Sequence, residues 1–334
     1  MTPFRILSTL TIAAALPFCG CSGCDRGATA PVATTSTIAR AATVAPTTST
    51  TSTVPIVIDR HGRYALFRPT PAKVGDVVTM DASATTTGKV TKVRPDGSPE
   101  KFPTVIDVLH ATWVETVSEV DADGTPTRWA VRIPVWSRRR DNQRDQSLVG
   151  AVLTVTGRGS ARQWTFVEKP SEPSDEARNW LDEHLGARGA SDQDWLRIIL
   201  PDETVAIGET WTPSPDRLAA VMTASGMAVD RSRLSTSATF DAIDQGVGRV
   251  SFKGDFALSK VPNTDVAWTS GGTLAFEGDM GVTLEPAPLA LRTLHRKGTL
   301  VGEATVDGAS VAYDFVIDEK RTATPGEPAT KPRP

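Results

Sequence analysis

The sequence predicts a mainly β protein with a few helices, built as a large curved antiparallel sheet or half-barrel that divides into two related halves. Three observations carry this expectation. Apolar residues recur with a period of two between about His61 and Lys320, Asp-Gly turns separate the alternating runs, and one short motif occurs twice. The expected order is a signal peptide at 1–20, a lipidated N-terminus and linker at 21–56, a β-rich body at 57–320 and a Pro-rich disordered tail at 321–334. Within the body the halves fall at 60–170 and 200–320, with helices between them.

The N-terminus carries one positive charge, Arg5, before the apolar run Ile6 to Leu16. That run has signal-peptide length and is too short to cross a bilayer as a helix. It ends in Phe18-Cys19-Gly20-Cys21-Ser22-Gly23-Cys24, which resembles the lipobox of bacterial lipoproteins. The resemblance implies acylation of Cys21, which has a small residue before it and an apolar residue at minus three; Cys24 and Cys19 are the alternatives. From Asp25 to Ile56, 13 of 32 residues are Ser or Thr and none is aromatic, so ordering that stretch would find no compensating burial. The linker therefore reads as a tether.

Within the body, Trp129, Val131, Ile133 and Val135 share one strand face with Arg132 opposite. Val311, Tyr313, Phe315 and Ile317 do the same in the last strand. Leu274, Phe276, Met280, Val282 and Leu284 form a third face, interrupted at Gly278, which is expected to mark a bulge or bend. One buried and one wet face means antiparallel pairing. Asp123-Gly124, Asp244-Gln245-Gly246 and Asp307-Gly308 supply the hairpin turns. Helices are expected after Ser174, after Ser191 and at Pro215. Their stripes are Trp180, Leu181 and Leu185; Trp195, Ile198 and Ile199; and Leu218, Val221 and Met222.

The repeated motif is Lys73-Val74-Gly75-Asp76-Val77-Val78-Thr79 and Ala206-Ile207-Gly208-Glu209-Thr210-Trp211-Thr212. Each copy is followed by an apolar-Asp step into a hairpin, Val120-Asp121 and Ile243-Asp244. The second copy lies in Leu200-Pro201 to Trp211, a string that resembles the Leu-Pro, then Val-x-x-Gly-acidic-x-Trp signature of uncharacterised bacterial lipoproteins in planctomycete-like and myxobacterium-like genomes. That resemblance covers about a dozen residues and the order of segments. It implies an envelope location and a β-rich fold, and it transfers no catalytic residue. Read from the residues alone, Gly208 permits a turn, Glu209 stays wet and Trp211 anchors a strand.

Composition narrows the function. The net charge of −3, which becomes −4 when the segment holding Arg5 is removed, argues against nucleic acid as a partner. All three cysteines precede residue 25, so the body has neither disulfides nor cysteine-ligated metal. The four histidines, His61, His110, His184 and His295, show no metal-ligand spacing, and no metal or cofactor is expected. Ser98-Pro99-Glu100-Lys101 matches S-x-x-K, but Pro103 opposes the helix that motif needs. Glu119 to Gly124 looks like the start of a calcium loop, yet its twelfth position is Ala130, so a hairpin is the better reading.

Arg138, Arg139, Arg140 and Arg144 form the sole basic cluster. They are expected at a solvated hairpin tip, with anionic lipid or polysaccharide as a possible contact. Asp255, Glu277 and Asp279 are the carboxylates a hydrolase would use. The leading expectation is a non-enzymatic, membrane-anchored envelope lipoprotein, periplasm-facing or at the outer membrane, that binds an apolar ligand or an envelope partner. A structural or assembly lipoprotein without a ligand is the first alternative, and a carboxylate-dependent hydrolase the second.

Overall fold

The computed structural model describes residues 61–326, apart from short stretches at 68–69, 95, 141, 159–160, 170, 187–191, 225–226, 262–265 and 288–289. The signal segment, Cys19, Cys21, Cys24, the Thr-rich linker and the residues after Gly326 lie outside the described part. The chain is mostly β, as expected, with one antiparallel sheet of 13 strands that does not close. In chain order the first strands are β1 (Val77–Val93), β2 (Pro99–Lys101), β3 (Val105–Val120), β4 (Pro126–Arg140), β5 (Gln143–Asp145), β6 (Ala151–Thr156) and β7 (Gln163–Glu168). Helices α1 (Asp175–His184) and α2 (Asp192–Ile199) follow, then β8 (Thr210–Trp211) and helix α3 (Pro215–Ala224). The chain finishes with β9 (Val229–Asp244), β10 (Val247–Leu258), β11 (Trp268–Thr283), β12 (Leu291–Val306) and β13 (Ala309–Gly326).

Across the sheet the order is β7-β6-β4-β3-β1-β13-β12-β11-β10-β9-β8, with β2 on β1 and β5 on β4. The strands of each half are neighbours, and the halves meet where β1 pairs with β13 from Val77↔Gly326 to Val93↔Ser310. Two hairpins turn through consecutive positive-φ residues, Gln245 and Gly246 and then Asp307 and Gly308, the backbone that a two-residue connection between right-twisted strands requires.

Side-chain alternation on β1 and β13 shows that all the burial lies on one face. Met80 and Ala82 of β1 and Ala323 of β13 enter a smaller core with α1, whose Ala177, Trp180, Leu181 and Leu185 cover it. Further along the same face, Val90, Val311, Tyr313 and Phe315 enter a larger core. There α2 and α3 supply Leu196, Ile198, Ile199, Leu218 and Met222. Ser174 caps α1 by accepting from the Ala177 N–H, and Pro215 is the first residue of α3. Ser191 and the side chains of Trp195 and Val221 fall outside the described part.

Three details depart from expectation. Val135 is 38% exposed while Trp136 is fully buried, because the β3–β4 register slips between Thr112↔Val135 and Val114↔Arg132. This bulge at Pro134, which has no N–H for the ladder, moves every following side chain of β4 to the other face. Gly278 sits in unbroken register rather than at a bulge; a Cβ there would lie 2.2 Å from the His295 carbonyl oxygen, so the glycine serves close strand approach. Finally, β13 continues beyond Lys320 to Gly326, burying Ala323, so the body extends past its expected end.

Candidate functional site

The bulge in β4 turns Arg138 onto the covered face. Successive register positions there read Arg138, Leu109, Ala84, Glu319, Arg296 in one row and Trp136, Ala111, Ala82, Arg321 in the next. The alanines make a low floor between taller walls. Into that trough α1 lowers Trp180, Glu183 and His184. The His184 ring stacks on Trp180 with centroids 4.7 Å apart, and Trp180 meets Trp113 edge-on at 5.4 Å.

Charges in the trough are matched. Arg138 forks onto Asp107, with Nη2 donating to Oδ2 at 2.6 Å and Nε to Oδ1 at 3.1 Å. Arg296 Nε donates to Glu319 Oε2 at 2.7 Å, and Arg321 Nη2 to Glu319 Oε1 at 3.0 Å. Asp107, Glu319, Arg296 and Glu183 are all buried. Burial alone would raise the Glu319 carboxyl, but Arg296 and Arg321 overcome it and hold the group at about 2. Burial, reinforced by Arg321, lowers His184 to about 4, so the imidazole is neutral at pH 7. A trough of paired charges beneath a neutral histidine can seat a helix.

The opposite face carries no helix among the described residues. One row across it reads Arg139, Val108, Thr85, Asp318, Lys297, Glu277, Lys253, Ser237. The row beside it reads Ser137, His110, Ser83, Lys320, His295, Asp279, Ser251, Thr239. Charges of opposite sign alternate on neighbouring strands, a stabilising cross-strand arrangement. His295 lies between two carboxylates, Nε2 at 3.2 Å from Asp318 and Nδ1 at 3.7 Å from Asp279; His110 Nε2 lies 3.3 Å from Asp81. An open groove of about 520 Å³ runs over these strands, lined by Ser237, Thr239, Ser251, Lys253, Glu277, Asp279, His295 and Lys297.

The residues singled out from sequence are therefore dispersed. Of the four arginines, Arg138 is tied to Asp107 on the covered face, which corrects its expected place at a solvated tip; Arg139 and Arg144 are exposed and Arg140 is half-buried. Glu277 and Asp279 share the groove, whereas Asp255 lies outside its lining. Glu277 is exposed and Asp279 faces His295, so neither sits in an apolar enclosure. Ser98 donates to Asp96 Oδ1 at 2.6 Å and leads into strand β2, where three residues span about 10 Å. Lys101 is thus carried away from the hydroxyl. Asp121 Oδ1 accepts from the N–H groups of Asp123 and Thr125 at 2.9 and 2.8 Å, which makes its loop a capped hairpin. His184 stands in the sequence only as one of four scattered histidines, and the Glu319 pairings have no local signal: a buried carboxylate between two arginines depends on β12–β13 register, which local sequence does not carry.

No family model matches the chain, and no curated protein matches it. Among solved structures it is similar to lipovitellin, in a structure concerned with lipid–protein interactions, at 8% identity and a TM-score of 0.38 over 78% of this chain and 26% of that one. This chain thus spans about a quarter of the lipovitellin chain. It is also similar to the attachment invasion locus protein Ail of Yersinia pestis, at 6% identity and a TM-score of 0.14 over 74% of this chain and 98% of that one. A third likeness is to Salmonella typhi OmpF in complex with daunomycin, at 7% identity and a TM-score of 0.16 over 75% and 98% of the two chains. At these scores the reading of function rests on the chain's own residues.

Proposed function

We propose that this protein is a non-enzymatic envelope lipoprotein, held to a membrane through acylated Cys21, that binds a protein partner of the envelope across the uncovered face of its sheet. The observation that carries this reading is the contrast between the two faces. The covered face is filled by the chain's own side chains, with Phe240, Phe256 and Leu218 at 0% exposure. An apolar ligand would have to displace them. The other face offers a grooved surface of alternating charge, suited to a protein that presents the complementary alternation.

The test places a photo-crosslinking residue at Ser251 in the full chain expressed in cells. One discrete crosslinked partner is expected, and Lys253→Glu with Lys297→Glu, which reverses two charges of the row, should abolish that product while leaving the protein folded. A product that persists undiminished in the charge-reversed protein, or a smear of abundant membrane proteins alone, overturns the reading. Mass spectrometry of the N-terminal peptide separately checks for acyl chains on Cys21, Cys24 or Cys19.

A further inference from the structure

The charged row on the uncovered face has a symmetry of its own. Across β13, β12, β11 and β10 it reads Asp318, Lys297, Glu277, Lys253, that is minus, plus, minus, plus. Lys297, Glu277 and Lys253 are exposed and Asp318 is half-buried. Read backwards the signs are plus, minus, plus, minus, so the row is the complement of its own reversal. Two copies turned face to face about a two-fold axis parallel to the strands present that reversal to each other. With the axis between β12 and β11, Lys297 meets Glu277 of the second copy and Asp318 meets its Lys253. A two-fold interface uses one patch twice and therefore needs a patch that complements itself.

The surrounding positions follow the same rotation. Thr85 on β1 and Ser237 on β9 flank the four charges, and each meets the other's counterpart. In the adjacent row His295 meets Asp279 of the second copy, Lys320 meets its Ser251 and Ser83 meets its Thr239. In the row on the other side Thr299 meets Ala275 and Thr87 meets Ser235, while Val316 meets Asp255, so complementarity is weakest there. The groove of about 520 Å³ lies over β9 to β12, astride the axis, and gives the long Lys and Glu side chains of the second copy room to enter.

Repulsion fixes the register of this docking. Moving the axis onto β12 sets Lys297 against itself and Asp318 against Glu277. Moving it onto β11 sets Glu277 against itself and Lys297 against Lys253. Either shift brings like charges face to face, which selects against the neighbouring alignments. The face is also large enough. Its six strands from β1 to β9 are each at least 12 residues long and, at about 4.8 Å apart, span roughly 29 Å. Eight residues of strand run roughly 27 Å, and the resulting area of about 800 Å² is what each partner contributes to a stable interface.

We propose that the partner bound across the uncovered face is a second copy of this chain, docked face to face about a two-fold axis between β11 and β12. This rests on the reading of the uncovered face as the binding surface and names the occupant of that same site.

The experiment co-expresses two full chains in cells, one carrying an affinity tag and a photo-crosslinking residue at Ser251, the other a different tag. Ser251 faces Lys320 of the second copy, so the expected product carries both tags, has twice the chain's mass and joins position 251 to β13 near Lys320. Lys253→Glu with Lys297→Glu makes all four positions of the row acidic, and Asp318→Lys with Glu277→Lys makes all four basic. Either double variant paired with itself should lose about tenfold or more of the two-tag product, and pairing the acidic chain with the basic chain should restore it to the wild-type level. Where circular dichroism shows that a double variant does not fold, the single variants Lys297→Glu and Glu277→Lys, whose residues face each other, take its place. Absence of a two-tag product in the wild type, its persistence in either same-sign pairing, or failure of the mixed pairing to restore it overturns the inference. In that event a Ser251 product with a different protein leaves the envelope-partner reading standing, whereas no product with any protein removes both.

Discussion

Glu319 neutralises two guanidinium groups that β12 and β13 deliver to the covered face. Replacing it by Gln leaves Arg296 and Arg321 buried without a counter-charge, and a loss of about 3–5 kcal/mol is expected from urea denaturation. Lys297→Ala, in the solvated row on the other face, should change stability by less than about 0.5 kcal/mol in the same assay. His184 supplies a pH signature. Its folded value of about 4 lies below the ordinary 6.5, so the unfolded chain binds the proton first as pH falls. Stability is therefore full above about 6.5 and is lost progressively down to about 4, by at most about 3 kcal/mol. Glu319 adds a further loss only as pH falls from about 4.5 towards 2. Denaturation midpoints from pH 7 to 4 should show the first slope in the wild type and a flattened slope in His184→Phe. Neither residue's role was legible in the sequence, because each depends on a partner far along the chain: Arg296 through the β12–β13 register for Glu319, and Trp113 beneath α1 for His184. Arg138 was legible only as a charge: one bulge at Pro134 decided its face.

Helices were the most legible elements, since start signals are written locally in Ser174 and Pro215. Hairpin positions were equally local. What sequence could not supply was the pairing of the first long strand with the last, which joins residues more than 200 positions apart in the chain. That junction has a specific weak point. Gly88 lies opposite Phe315, and a Cβ on Gly88 would fall 2.0 Å from the Phe315 ring. The Gly88→Ala substitution should push the ring out of the larger core and cost about 1–3 kcal/mol, with hydrogen exchange accelerating first in β1 and β13.

The molecule as a whole has two cores on one continuous sheet, each bordered by the central strands β1 and β13. Long strands that contribute to both cores should make them melt as one. A single denaturant transition is expected, with the tryptophan signal, dominated in the smaller core by Trp113, Trp136 and Trp180, coinciding with loss of far-ultraviolet dichroism. Two resolved transitions would show that the halves at 60–170 and 200–320 are separate folding units.

The strand order fixes one more property of the sheet. With β2 and β5 set aside, the sheet runs through eleven strands counting both edges, and an odd number of strands in antiparallel succession leaves β7 and β8 pointing in the same direction. Those two edges cannot join in the antiparallel pattern used everywhere else. Closing the sheet without a parallel pair would take an added strand running against both edges, which would give a barrel of even count.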